Sequence, residues 1–497
     1  MPELSILSPS RVASLAVGRP VHVTGAGRRN IEQSVSRFVD RLSPGSPLAL
    51  AGLARGLDPG LRAGHIVVAT AARTADGSRS VALASGLLVA AELERAGLAV
   101  RTGTVVSASG VNGAGRARPI ADAGAGAGAV AFDTEAGWLA GALGARRYPL
   151  AVVHAVVDGT DEPLLTAWLH ALHELRRVRG PLERWAAAAG PRRILLAGPR
   201  SFCAGVDRAI DVVERALARY GTPVFVRRQI VHNTHVVRDL EAKGAVFVEE
   251  LDQVPPGATV VLAAHGVAPE VRAEADQRGL RVIDATCPLV AKVHHEAQRF
   301  AERGYDIVLI GHGDHEEVIG TVGEAPGVVH LVERGADIDT VAVRDPHRVA
   351  YLTQTTLATD ETAELVGALR ERFPAIVGPR SDDICYATQN RQDAVRALAR
   401  ECDVVLVVGS RHSSNSNRLA EVAVREGARA YLLEDHSELE LDWLPRATTI
   451  GITAGASAPE ALVGGIIGAL EGLGPVEVEE RTVTAEDVRF TLPPEVR

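Results

Sequence analysis

Aromatic residues make up only 4% of this 497-residue chain. That scarcity argues against the stacking platforms on which single-stranded nucleic acids are bound. Charge of one sign is never gathered into a block: the net charge is −9, with acids and bases mixed along the chain. Such mixing argues against a dedicated nucleic-acid or membrane surface. No apolar run approaches the length that spans a bilayer. Met1 to Pro20 lack the basic start and apolar stretch of a secretory leader, so a cytoplasmic location is expected. No CxxC pair, the usual mark of structural zinc, occurs. No GxxxxGK[ST] loop occurs either, which argues against a nucleoside triphosphatase. Cysteine itself is scarce, with four in all, each after residue 200. In a reducing compartment they are not expected as disulfides, and metal or catalytic roles gain weight.

What is present is ample apolar material, at 46%. A chain of this length divides into two to four domains. Residues 1–179 hold no cysteine and are rich in Ala and Gly, including the run Ala121 to Ala131. Residues 180–192 mix Pro, Gly and charge and read as a linker. Residues 193–479 form the second half, and 480–497 a C-terminal tail. Apolar runs at Ile194–Ala197, Val260–Ala264, Ile307–Ile310 and Val404–Val408 suit buried parallel strands. Helical patterns cover Val206–Tyr220, Val290–Arg303, Asn390–Cys402 and Arg418–Glu426. Both halves therefore read as α/β.

Cys203, Cys287 and Cys385 each precede a helical pattern and stand 84 and 98 residues apart. Each gap is about one small α/β unit, which suggests three units in a pseudo-threefold arrangement around a shared centre. Thiolates at helix amino termini would sit in a positive backbone field that lowers their pKa. Three inert buried cysteines, or a zinc site, are the alternatives that spacing leaves open. Cys402, inside ECDVVLVVG, reads as core.

Polar motifs crowd the same half: VVHNTHVV with His232, AAHGVAP with His265, GHGDHEEVIGT with His315 and Glu317, TQTTL with Thr355 and Thr356, RHSSNSNRLAE with Ser413, Ser414 and Asn415, and TAGASAPE with Ser457. Most follow an expected strand, where open α/β sheets bind ligands. Histidines, hydroxyls and an amide are donors suited to a diphosphate. Glu317, beside a histidine in a Gly-rich loop, could deliver protons. Glu316 reads as a solvated carboxylate.

Together PRSFCAGVDRAI, VVHN, AHGV, DATCPLV, GHxxHxEVxGT, TQTTL, DDICYATQNRQ, SSNSNRL and TAGASAP make 193–479 resemble the 4-hydroxy-3-methylbut-2-enyl diphosphate reductases. The resemblance implies three α/β subdomains around a 4Fe-4S cluster ligated by Cys203, Cys287 and Cys385, with the fourth iron open to the substrate alcohol. It implies reductive loss of the hydroxyl as water, giving isopentenyl or dimethylallyl diphosphate. Glu317 looks like the proton source, with Thr355 and His315. His232, His265, Ser413, Asn415 and Ser457 look like diphosphate ligands. Ser414 would line the pocket, and His315 and Thr355 would also meet the substrate. A ferredoxin or flavodoxin is the implied electron donor. The family commonly has Pro where Glu316 stands; a second carboxylate there is expected to raise Glu317 by like charge.

The first part, through GLARGLDPGLRAGHIVVAT, AVAFDTEAGWLAGAL and LAVVHAVVDGTDEP, resembles the nucleoside phosphorylase and nucleosidase superfamily. Glu135 falls where that superfamily binds ribose, but Thr134 replaces Met. Asp158 falls at its catalytic Asp, but Val157 replaces Ser. VTGAG, with Gly25 and Gly27, reads as a phosphate loop. A degenerate α/β domain is the expectation. Two other functions stay open: nucleosidase activity as the main one, or a metal-bound small-molecule binding module.

Overall fold

The computed structural model describes residues 4–18, 21–39, 42, 45–108, 128–143, 148–157 and 163–497. Asp158 and most of the Ala121–Ala131 run lie outside the described residues. Two compact units result. One gathers Met1–Ile194 with Asp435–Ile450 and Gly464–Val478; the other gathers Leu195–Glu434 with Gly451–Val463 and Glu479–Arg497. They are not consecutive stretches, as a single boundary at 180–192 would make them. Within the first unit, Ser85 donates to the Gly472 carbonyl and Arg95 to that of Leu439. A Cβ on Gly472 would lie 2.6 Å from the Ala84 backbone, so only glycine permits that approach. Such long-range pairings carry no local signal. The expected linker is itself helical over Arg179–Ala188, with Leu182 and Trp185 fully buried.

The first unit is an eight-stranded mixed sheet. Its order is His22–Val23, Ser5–Ser8, Leu48–Gly56, Ala129–Asp133, Val100–Ser107, Ile66–Thr74 and Ser80–Ala82. Leu150–Val156 pairs with both Leu48–Gly56 and Ile66–Thr74, so five of the strands close into a ring. The Gly25–Gly27 turn, with both glycines at positive φ (78° and 87°), leads into the helix Arg28–Val39.

Three further sheets follow. Four strands run in the order Ala245–Val248, Val224–Arg227, Thr259–Leu262, Arg281–Asp284, all parallel. Three more run parallel in the order Val329–Val332, Asp306–Ile310, Val349–Thr353. Five run in the order Arg429–Leu433, Val404–Val408, Thr449–Ala454, Arg192–Gly198, Val476–Thr482.

The cysteine-led helices hand over from sheet to sheet. After Arg192–Gly198 of the five-stranded sheet, helix Ala204–Tyr220 packs Ala209, Val212 and Val213 onto the four-stranded sheet. After Arg281–Asp284, helix Pro288–Glu302 packs Val293, Ala297 and Phe300 onto the three-stranded sheet. After Val377, which bridges Ala350 of the three-stranded sheet, helix Tyr386–Ala399 packs Ala394, Val395 and Leu398 onto the five-stranded one. The cycle closes after three steps, so the three helix starts share a centre. Cys402 packs at the edge of that last core. Among the described residues no helix is long and apolar enough to cross a membrane.

Candidate functional site

Cys203, Cys287 and Cys385 are the residues that cap the amino ends of those three helices. All three line one cavity of about 730 Å³, together with His232, His265, His315, Glu317, Thr355, Ser413, Ser414, Asn415 and Ser457. Every site residue expected from the sequence within 193–479 is therefore brought to that cavity. Thr356, named with Thr355 in TQTTL, lines it too; sequence reasoning overlooked two more of its lining residues, Gly205 and Thr388.

Gly205 is small for a reason. A Cβ there would lie 2.9 Å from Cys287 Sγ and 3.7 Å from Cys203 Sγ. Thr388 approaches Cys385 with its backbone N–H at 3.4 Å and its hydroxyl at 3.1 Å from the sulfur. The helix field was expected to lower the thiols, but burial wins. It pushes Cys287 up to about 12 and Cys385 up to about 11, with repulsion among the sulfurs adding to the shift. Their thiolates need a cation as partner, which is the chemistry of a metal ligand. Among the described residues the three sulfurs are not all within 4.8 Å of one another.

Glu317 is 2% exposed. Its Oε1 accepts the Thr355 N–H at 2.7 Å and its Oε2 the Thr355 hydroxyl at 2.9 Å. Burial pushes the carboxyl up to about 7, and Asp383 adds repulsion. Glu316 plays no part in that shift, contrary to the sequence expectation. It is not solvated either: it pairs with Arg228, lies 3.7 Å from Arg227, and both arginines also hold Glu250. The paired cations turn its charge away from Glu317.

The three histidines form one cluster. His232 and His265 stack at 4.2 Å, and His315 stands edge-on to them at 5.6 and 5.7 Å. Burial, then mutual repulsion, holds His315 down to about 4 and His265 well below its usual value; burial also holds His232 down to about 4. His315 Nδ1 accepts the Glu317 N–H at 3.2 Å, which leaves Nε2 to carry the proton.

Opposite them, Ser413 caps the helix Ser414–Arg425. Both amide atoms of Asn415, 5% exposed, and His265 Nδ1 are buried without a hydrogen-bond partner. Thr356 donates to Ser414 at 3.0 Å, and Ser457 to the His232 carbonyl at 3.1 Å. Neutral N–H donors facing a helix amino terminus with unsatisfied amides make a site for an anion.

The LytB protein family model matches residues 194–471, more than half of the chain. The chain belongs to the LytB family. It is 59% identical over 307 residues to the 4-hydroxy-3-methylbut-2-enyl diphosphate reductase of Acidothermus cellulolyticus, covering 62% of this chain and 90% of that one. It is 56% identical over 322 residues to 4-hydroxy-3-methylbut-2-enyl diphosphate reductase 1 of Mycobacterium tuberculosis, covering 64% and 98%. A solved LytB-region likeness is the E-1-hydroxy-2-methyl-but-2-enyl-4-diphosphate reductase of Plasmodium falciparum. It aligns with TM-score 0.59 and 38% identity over 62% of this chain and 97% of that one. A solved 5'-methylthioadenosine/S-adenosylhomocysteine nucleosidase from Neisseria meningitidis is also similar, at TM-score 0.31 and 16% identity over 36% of this chain. The LytB match takes in all three cysteines and the whole cavity lining.

Proposed function

We propose that this chain reduces (E)-4-hydroxy-3-methylbut-2-enyl diphosphate to isopentenyl and dimethylallyl diphosphate, releasing the hydroxyl as water. One observation carries the reading: three cysteine sulfurs, a buried glutamate–threonine pair and three neutral imidazoles share one cavity in a LytB chain.

Cys203, Cys287 and Cys385 would hold a 4Fe-4S cluster. When bound, it supplies electrons and an iron that no protein side chain occupies. The electrons come from an external donor of the ferredoxin or flavodoxin kind. His232, His265 and His315 donate to the diphosphate from one side. The Ser414–Arg425 helix start, with Ser413, Ser414, Asn415 and Ser457, receives it from the other. Docking the anion there aims the alcohol at the sulfur end of the cavity.

Glu317 holds a proton near neutral pH because it is buried. In that state its O–H donates to Thr355 Oγ1, and the Thr355 hydroxyl turns to donate into the cavity. The pair thus delivers one proton without admitting water. His315 orients the carboxylate loop through the Glu317 N–H.

The test is turnover by the anaerobically reconstituted chain with a reduced viologen. Isopentenyl and dimethylallyl diphosphate should form. Glu317→Gln should lower kcat by about 10²–10⁴-fold and leave inorganic pyrophosphate affinity unchanged. An iron-replete wild type without turnover would sink the reading. A Glu317→Gln enzyme at full rate would remove the proton role alone.

A further inference from the structure

The first unit contains a second group of metal-ligating side chains. Asp133, Glu135 and His154 bring two carboxylate oxygens and a ring nitrogen within 4.8 Å of one another. Their exposures are 4%, 2% and 0%. Asp133 ends the strand Ala129–Asp133, and Glu135 precedes the helix Ala136–Leu143. His154 is the one polar residue of the wholly buried strand Leu150–Val156.

The two acids have local partners. Asp133 Oδ2 accepts the Ala136 N–H at 2.8 Å, and Oδ1 accepts the Ser107 hydroxyl. Glu135 accepts from the Thr134 N–H at 3.3 Å, from the Thr134 hydroxyl and from the Gly27 N–H. These contacts account for each acid as a cap or turn element. They do not account for His154. Its Nε2 lies 3.3 Å from Asp133 Oδ2, yet neither ring nitrogen has a hydrogen-bond partner. Two carboxylates also share this dry site. A divalent cation relieves both problems, since it takes the imidazole lone pair and balances the acids.

We propose that Asp133, Glu135 and His154 bind a divalent first-row metal ion of the zinc or manganese class. Two carboxylate oxygens and an imidazole nitrogen suit those ions, and no thiolate is present to select iron–sulfur chemistry. With all three ligands buried, the ion is structural: it enters as the unit folds, and its binding energy adds to folding. This site is independent of the reductase reading.

The experiment is elemental analysis of the full chain, purified anaerobically, with iron, sulfide, zinc and manganese counted separately. About one equivalent of zinc or manganese should accompany the sulfide-matched iron. His154→Gln and Asp133→Asn should lose that equivalent and keep iron and sulfide at wild-type levels. Should either variant fail to fold, the wild type decides. Chelation that leaves iron and sulfide intact should lower its melting temperature, and zinc should restore it. A wild type free of zinc and manganese, whose melting ignores chelator and added zinc, overturns the proposal. So do folded variants that retain the metal.

Discussion

The Glu317 carboxyl has almost no water around it, and burial raises it to about 7. The sign of the pH effect follows. A raised acid keeps its proton up to about 7, so the donor form is depleted above that value. We expect kcat to fall as pH rises through about 7, measured with substrate saturating. A profile flat from pH 6 to 8, on the order of a tenfold change in ionisation, contradicts Glu317 as the donor.

The histidines behave in the opposite sense. Free, they are neutral above about 4. A diphosphate among them stabilises their charged form, so binding takes up protons. Calorimetry of inorganic pyrophosphate near pH 6, about where histidines titrate, should give enthalpies that vary with buffer ionisation heat. Affinity should weaken as pH rises. No buffer dependence would mean the imidazoles stay neutral. At this scale the sequence made the polar lining of the cavity legible, because motifs state residue types. It could not state burial. Hence Cys287 and Cys385, expected low in a helix field, are held high by desolvation, and Glu316 proved to be paired with arginine.

At the scale of elements, cysteine caps and strand-to-helix switches organise the site. Val404–Val408 was legible to the residue, and helix Ala204–Tyr220 began two positions before its pattern. Apolar periodicity reports such packing directly. What it misses is the coupling between elements. Arg227, Arg228, Glu250 and Glu316 tie the turn before His232 to the helix that begins beside Glu317. Arg228 holds this pose at φ 56°. Glu316→Ala should loosen the two loops against each other. We expect KM to rise roughly fivefold, about 1 kcal/mol, with kcat little changed. A fall in kcat with KM unchanged would show instead that Glu316 acts on the chemistry.

For the whole molecule, sequence order is a poor guide to the units. The chain returns twice to the first unit, at Asp435–Ile450 and Gly464–Val478, the second through a close backbone approach at Gly472. Residues 480–497, expected as a tail, are integral to the second unit. Arg208 donates to the Thr491 carbonyl at 2.9 Å and Tyr220 to that of Glu495 at 2.8 Å. Glu486 pairs at 3.0 Å with Arg391, which is fully buried and also holds the Ser201 carbonyl just before Cys203. Glu486→Ala should cost about 3 kcal/mol, since it strips a buried guanidinium of its counter-charge. Thermal unfolding measures this; an unchanged midpoint would mean the carbonyls alone suffice.

The proposed reaction depends on Cys203, Cys287 and Cys385 together holding one multinuclear iron site. Iron and acid-labile sulfide, counted in the anaerobic wild type and in Cys203→Ser, Cys287→Ser and Cys385→Ser, test it directly. The wild type should carry about four of each per chain, and each single substitution should deplete both. Iron and sulfide that survive all three substitutions would contradict it.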